Sequence, residues 1–235
     1  MIARARRHGA ALWLLAATSV ANVLAYGYQV AMARLLRPEE YAILTALFGI
    51  LLVEAIGAQV IQAATAKLAA QYRAHDDDDA LHIFVRRWTR RIALVVAPAA
   101  LVVMLAAGGI ATALSLSTFS VVLLGLTLAL NGLLTFTLGL LQGLARYGWF
   151  GAFLILQAGA RLTLGVVLVT AGHGVDGAFL GATAALLIAA AGTFLPLGPL
   201  FRAARAAVAE ASLAPSETRF FVLSAVVLLA YAALT

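Results

Sequence analysis

The sequence predicts an all-α protein, a polytopic bundle of membrane-spanning helices, and three observations predict it. Hydrophobic residues make up 64% of the 235 residues and charged residues only 11%, against about 25% charged in soluble domains. So few charges could not cover a soluble surface, so most of the apolar area must face lipid. The apolar residues fall into separate stretches close to the ~20 residues that cross a bilayer as a helix. Ala and Leu dominate those stretches, and both are strong helix formers. A helix also satisfies its backbone polar groups within one segment, as lipid demands. There is no Cys, which excludes a secreted disulfide scaffold. The net charge of +6 is read as a topology signal rather than as the mark of a nucleic-acid partner.

The stretches lie at 10–36, 41–65, 92–114, 119–141, 149–171, 175–195 and 220–235. The first follows Arg4, Arg6 and Arg7, but it runs on to Leu36 with no polar domain behind it, so it reads as a span rather than a signal peptide. Between the second and third lie His75, Asp76, Asp77, Asp78, Asp79 and His82. These are ligand types a divalent cation accepts, but they match no known ligand spacing, and a solvated loop is expected. Pro98, Gly108 and Gly109 are expected to kink the third span. Gly125, Gly132 and Gly139 recur every seventh residue along the fourth. Gly139 with Gly143, and Gly177 with Gly181, form Gly-x-x-x-Gly pairs, a spacing that lets helix backbones approach. Pro196 and Pro199 are expected to end the sixth span and release an amphipathic surface segment at 201–213. The last stretch is shorter than a full crossing, so it is expected to be a truncated seventh helix and the chain a fragment of something longer. The expected organisation is a six-helix lobe over 1–200, a cytoplasmic amphipathic linker over 201–219 and the start of a seventh helix over 220–235.

Charge sets the orientation. Arg4, Arg6 and Arg7 precede the first span. Lys67, Arg73, Arg86, Arg87, Arg90 and Arg91 follow the second, Arg146 follows the fourth, and Arg202, Arg205 and Arg219 follow the sixth. The opposite side holds only Arg34 and Arg37. Basic residues concentrate on the cytoplasmic side, so the amino end is expected there, in a multi-pass membrane protein.

Catalytic motifs are missing. The single lysine, Lys67, is followed by Leu68, so there is no Gly-Lys-Ser/Thr phosphate loop, and no His-Glu-x-x-His or Gly-x-Ser-x-Gly appears. No enzymatic activity, cofactor or metal is expected.

Polar residues inside spans are costly and usually face a bundle interior or cavity. Here they form stripes at helical spacing. Thr18, Asn22, Tyr26 and Gln29 lie on the first span, and Glu54, Ala58, Gln62 and Thr65 on the second. Asn131, Thr135 and Gln142 mark the fourth, and Gln157, Arg161 and Gly165 the fifth. Asn22, Tyr26, Gln29, Glu54, Gln62, Asn131, Gln157 and Arg161 are therefore expected to line a polar cavity, although hydrogen bonding between helices would leave the same pattern. Glu54 and Arg161 sit near the middle of their spans and are expected to share a depth, face one interior space and pair.

Three runs carry a resemblance. Ala33-Arg34-Leu35-Leu36-Arg37-Pro38-Glu39-Glu40-Tyr41 resembles the first hairpin of bacterial polysaccharide-biosynthesis flippases, in the multidrug/oligosaccharidyl-lipid/polysaccharide (MOP) exporter superfamily. Arg37 and Ala42 stand where that pattern commonly has Gly. Leu141-Gln142-Gly143-Leu144-Ala145-Arg146-Tyr147 and Gly172-His173-Gly174-Val175-Asp176-Gly177-Ala178 resemble its later turns. The resemblance implies a twelve- to fourteen-helix exporter in two lobes, of which this chain is the amino-terminal one and a carboxy-terminal lobe the missing partner. It implies translocation of a polyprenyl-diphosphate-linked glycan, with Arg161 attracting the diphosphate, since guanidinium binds such oxygens in bidentate fashion. Competing expectations are a drug/cation antiporter of the same superfamily, a membrane-embedded glycan-processing enzyme, and a non-transporting scaffold or decayed half-gene.

Overall fold

The computed structural model describes residues 2–114 and 117–206. They form α1 (Ile2–Leu35), α2 (Pro38–Ala74), α3 (Asp78–Leu105), α4 (Ala107–Leu114), α5 (Thr118–Gly143), α6 (Tyr147–Leu168) and α7 (Gly174–Ala206). A π-type turn, Val169–His173, joins the last two. The described residues contain no strand. Most of the linker expected at 201–219, and all of the span expected at 220–235, lie outside them.

Local chemistry explains where the helices start and stop. Pro38 occupies the first position of α2, where its missing N–H costs nothing. The Glu40 carboxylate accepts from the Arg37 backbone N–H at 3.1 Å, so the Arg-Pro-Glu-Glu run is a helix start. The acidic run is another. Asp76 turns the chain at a φ of 50°, Asp77 accepts from the Ala80 N–H at 2.9 Å, and Asp78 and Asp79 occupy the first turn of α3, where the helix dipole favours negative charge. Ser117 caps α5 in the same way, through the Ser120 N–H at 3.0 Å. The reversal from α6 to α7 needs Gly172 at a φ of 91° and Gly174 at 51°, conformations that glycine adopts at no steric cost.

Two expectations about proline and glycine fare differently. The third span does break, at Ala106 between α3 and α4, immediately before Gly108 and Gly109. Pro98 lies inside α3 without ending it. The sixth span does not end at its prolines: α7 continues through Pro196 and Pro199 to Ala206. Prolines are tolerated in such helices because neighbouring groups take up the carbonyls they disturb. The carbonyls freed here are those of Gly192 and Leu195, four residues before each proline, and beside them the Arg146 Nη1, from the start of α6, donates to the Pro196 carbonyl and ties this stretch of α7 to α6.

Four segments are long and apolar enough to cross a membrane: Gly9–Leu35, Pro38–Ala74, Thr118–Gly143 and Tyr147–Ala203. The last contains both α6 and α7, folded back on each other. Charges up to Arg91 and the break at Ala106 leave α3 a shorter uninterrupted apolar run than these. The helices alternate in direction. Gly192 lies against Phe153, and Gly181 against Leu164 and Gly165, so α6 and α7 are antiparallel. Gly151 meets Trp13 and Ala17 while Gly165 meets Tyr28 and Met32, so α1 runs parallel to α6. Gly139 meets Gln62 and Thr65 and Gly143 meets Ala66 and Ala69, so α2 runs parallel to α5. The central helix is α5: 61% of its apolar stretch is buried, against 6% for α1. Helices α1 and α2 follow each other in sequence yet pack on different partners.

Two apolar clusters result. One gathers Phe84, Phe136, Leu140, Leu141, Ala189 and Leu197. The other gathers Tyr28, Met32, Leu44, Leu47, Leu124 and Phe179. Hydrogen bonds close both ends of the bundle. At the basic end Arg73 Nη1 donates to the Leu144 carbonyl, where a cation suits the exposed carbonyls of a helix terminus. At the other end Ser117 and Ser120 donate to Asp176 Oδ1 at 2.6 and 2.5 Å, tying α5 to α7.

The two Gly-x-x-x-Gly pairs are sites of close packing. A Cβ on Gly139 would stand 2.7 Å from the Gln62 carbonyl oxygen, and one on Gly143 would stand 2.5 Å from that of Ala66. Gly139→Val is therefore expected to lower stability by about 1–3 kcal/mol, the usual cost of overpacking. Gly108→Ala, with nothing within 4 Å, is expected to leave it unchanged or slightly raised. Thermal unfolding of the detergent-solubilised protein checks both.

Candidate functional site

Arg161 is the one cation in the apolar interior of α6, and the structure surrounds it with aromatic rings rather than carboxylates. Its guanidinium carbon lies 4.3 Å from the ring centroid of Tyr28 on α1 and 4.3 Å from that of Phe48 on α2. The two rings are 5.9 Å apart and nearly perpendicular, at 86°, so the guanidinium occupies the corner between them. Phe179 on α7 backs the corner, its centroid 5.9 Å from that of Phe48. The Tyr28 hydroxyl donates to the Ala178 carbonyl at 3.0 Å, which fixes the Tyr28 ring against α7. A cation near the face of an aromatic ring gains about 0.5–2 kcal/mol, enough to offset part of the roughly 2.5–3.5 kcal/mol that a charge costs at mid-membrane depth. The Arg161 Nε is buried and has no hydrogen-bond partner. The corner covers one side of the group, and its remaining N–H donors are where an oxyanion could bind in the planar, forked geometry that guanidinium favours.

The expected pairing of Glu54 with Arg161 does not form. Glu54 Oε2 instead accepts from Asn131 Nδ2 on α5 at 2.5 Å. The physical reason is register. Arg161 meets α2 at Phe48, six residues from Glu54, which is about 9 Å along a helix. The two charges therefore sit at different depths. About two turns further toward the basic end, Gln62 Nε2 donates to Gln142 Oε1 at 3.2 Å. The stripes of α2 and α5 thus face each other and hydrogen-bond across one seam, with Thr65 and Thr135 buried within it. That seam is the interhelical bonding that the sequence left open as the alternative to a cavity.

The remaining candidates are distributed around α1 and α6. Gln157, one turn from Arg161 on the same face, is half-buried, as is Gln29. Asn22 is exposed, and Tyr26 is 72% exposed, on a face of α1 that these helices leave uncovered. Two residues of the Arg161 environment, Tyr28 and Phe48, lie off the polar stripes of α1 and α2 and were not among the expected site residues. Their position could have suggested them. Tyr28 lies eight residues before Leu36 and Phe48 eleven after Arg37, which brings two aromatics to similar depth on either side of the first hairpin.

Two measurements follow from this geometry. Tyr28→Phe keeps the ring over Arg161 but loses the hydroxyl, with its hydrogen bond to Ala178 and its interaction with the guanidinium, at an expected cost of about 1–2 kcal/mol. Tyr28→Leu loses both and is expected to cost more, the difference reporting the cation–ring contact in denaturant melts. Because Glu54 and Arg161 share no partner, Glu54→Gln and Arg161→Gln are expected to act additively within about 0.5 kcal/mol. A double-mutant cycle showing rescue would contradict the separation seen here.

No protein-family model matches the sequence, and no curated relative matches it either. Solved structures do. A MATE transporter in complex with Br-NRF aligns with a TM-score of 0.75 at 14% identity, over 94% of this chain and 53% of that one. A MOP superfamily transporter from Pyrococcus furiosus, described as having a binding pocket of reverse polarity that suggests a different function, aligns at 0.73 and 14% identity over 93% of this chain and 51% of that one. The outward-facing form of a multidrug resistance MATE family transporter gives the same TM-score, identity and shares. The chain spans about half the length of these transporters. At such low identity the likeness is one of architecture, and the chain has the fold of one half of a MATE-type transporter of the MOP superfamily.

Proposed function

We propose that this chain is one lobe of a MOP superfamily exporter that flips a lipid-linked oligosaccharide, carried on a polyprenyl diphosphate, from the cytoplasmic to the outer leaflet of a bacterial inner membrane. The observation that carries this reading is Arg161. A cation held in an aromatic corner, with no carboxylate partner, is an anchor for an anionic group. A diphosphate supplies oxygens that a guanidinium can bind in bidentate fashion. The aromatic corner adds rigidity, since Tyr28 is hydrogen-bonded to α7 and Phe48 is wedged between Tyr28 and Phe179.

In this reading the described helices are one six-span lobe with its amino end in the cytoplasm. A second lobe completes the pathway, consistent with neighbours of about twice the length. Transport proceeds by rocking of the two lobes about a site near the middle of the membrane. The exposed polar face of α1, with Asn22 and Tyr26, is the surface turned to that second lobe or to the substrate path.

A second reading, a drug/cation antiporter, draws on the MATE neighbours and on Glu54, a carboxylate suited to cationic cargo. Deleting the gene separates the two. The flippase reading expects lipid-linked glycan to accumulate in the inner membrane, with drug sensitivity unchanged. It expects export to be restored by the wild-type gene, restored in part by Arg161→Lys, and not restored by Arg161→Gln. Unchanged glycan export with heightened sensitivity to cationic drugs would establish the second reading instead.

A further inference from the structure

We propose that the outer face of α3 binds anionic phospholipid, its arginines at 86–91 holding headgroup phosphate and the apolar strip beyond them lying along the acyl chains. The inference goes beyond the transport reading and requires only that the chain sits in a bilayer.

The argument begins with how α3 divides around its own axis. Leu81, Phe84 and Val85 are buried, and Trp88 and Ile92 pack against the same apolar cluster. Arg86, Arg87, Arg90 and Arg91 occupy the opposite side. At about 100° per residue they fall within an arc of about 140°. Arg86 and Arg90 are exposed, and Arg87 and Arg91 are half-buried. Further along the helix Leu94, Leu101 and Leu105 are exposed, and their positions fall within the same arc. One face therefore starts with four guanidinium groups and continues as bare leucine. A phospholipid presents the complementary chemistry in the same order.

The dimensions agree. Arg86 to Arg91 rises about 7.5 Å at ~1.5 Å per residue. The polar layer on one side of a bilayer is about 5–7 Å deep, from a ~30 Å core within a total of ~40–45 Å. The tryptophans mark where that layer lies. Trp88 packs into one cluster with Phe150 and Leu154 of α6, Trp149 stacks on Phe153, and Trp13 donates to the Tyr147 carbonyl. All three tryptophans of the chain thus gather at the basic end, at the depth of the arginine band. Tryptophan concentrates at the boundary between membrane and water. The Arg91 guanidinium carbon lies 5.1 Å from the Trp88 ring centroid, so the band is itself held at that boundary.

Charge complementarity selects the occupant. Guanidinium binds phosphate oxygens in a planar fork, and Arg86 and Arg90, one turn apart on the same face, are neighbours that reach one phosphate together. The exposed acidic run Asp76–Asp79 lies on the water side of the band, Asp79 preceding Arg86 by about 10 Å along the helix. It repels anions there and confines them to the arginines. A soluble anion uses only the arginines, whereas an anionic lipid uses the leucine strip as well.

The experiment is native mass spectrometry of the full chain from detergent micelles, with phosphatidylglycerol and phosphatidylcholine added in equal amounts. The wild-type protein is expected to retain phosphatidylglycerol in preference. Arg86→Gln/Arg90→Gln is expected to lower that preference about 25-fold, since each basic residue near an anionic surface contributes about fivefold. Arg86→Lys/Arg90→Lys is expected to keep part of it, because the charge remains while the fork is lost. Arg34→Gln/Arg37→Gln removes the same charge at the other end of the bundle and is expected to leave the preference unchanged. Both substituted arginines of α3 lie off its packed face, and circular dichroism is expected to show unchanged helix content. Equal retention of the two lipids by the wild-type protein overturns the proposal, and that comparison needs no variant. So does an unchanged preference in Arg86→Gln/Arg90→Gln, or an equal loss in Arg34→Gln/Arg37→Gln. Displacement of phosphatidylglycerol by an equal concentration of inorganic phosphate overturns it too, because the leucine strip then adds nothing. No glycan or drug is present, so each result is independent of whether the flippase reading holds.

Discussion

The close approach of three helices at Gly165 positions the rest of the structure. A Cβ there would stand 2.6 Å from the Tyr28 ring, and a Cβ on Gly181 would stand 2.6 Å from the Gly165 nitrogen. Small residues at such crossings let backbones pack where no hydrophobic drive separates protein from lipid. With α6 and α7 in contact at this depth, Tyr28 can reach the Ala178 carbonyl and still present its face to Arg161, one turn away from Gly165. A larger side chain at 165 would push the Tyr28 ring and α1 away from α6 and open the corner that holds the guanidinium.

From that crossing the bundle divides into two layers of dependence. Helix α1 is attached through α6, with Trp13 Nε1 donating to the Tyr147 carbonyl at 3.1 Å near the amino end and glycines at 151 and 165 admitting the close contact. Helix α2 is attached through α5, by Gly139, Gly143 and the two polar pairs. Between them α7 touches both partners: Thr127 and Thr183 hydroxyls meet at 2.8 Å across α5 and α7. The turn between α1 and α2 is short, but their packing partners differ, so relative movement of α1 and α2 is opposed mainly at the hairpin and at the Tyr28–Phe48 contact. An element joined to the rest at few points is where a helix bundle can flex without losing its core.

The two interior charges illustrate two ways of keeping a charge in an apolar setting. Arg161 is stabilised by ring quadrupoles, which soften the cost of burial without neutralising the charge. Glu54 is stabilised by one hydrogen bond from an amide. Had the two formed an ion pair, each would have cancelled the other's ability to bind a ligand. Their separation along α2 leaves a cationic site at one depth and a carboxylate at another.

The sequence alone determined the class of the protein, because composition decides solvent: 64% apolar residues with 11% charged can be stable only in lipid, and lipid admits helices. It also determined the close-packing glycines, since Gly-x-x-x-Gly is a local spacing on one helix face, and the position of the helix start at Pro38, since capping is local chemistry. The residues of the α2–α5 seam were visible as stripes for the same reason. Which stripe meets which was not, because a stripe states only that a face is polar. Register between helices depends on how side chains interlock, so only the tertiary structure decided that Glu54 meets Asn131 while Arg161 meets Tyr28 and Phe48. The course of α7 through Pro196 and Pro199 was likewise hidden, since the contacts that hold this stretch come from distant parts of the chain, such as Arg146, fifty residues before the Pro196 carbonyl it donates to.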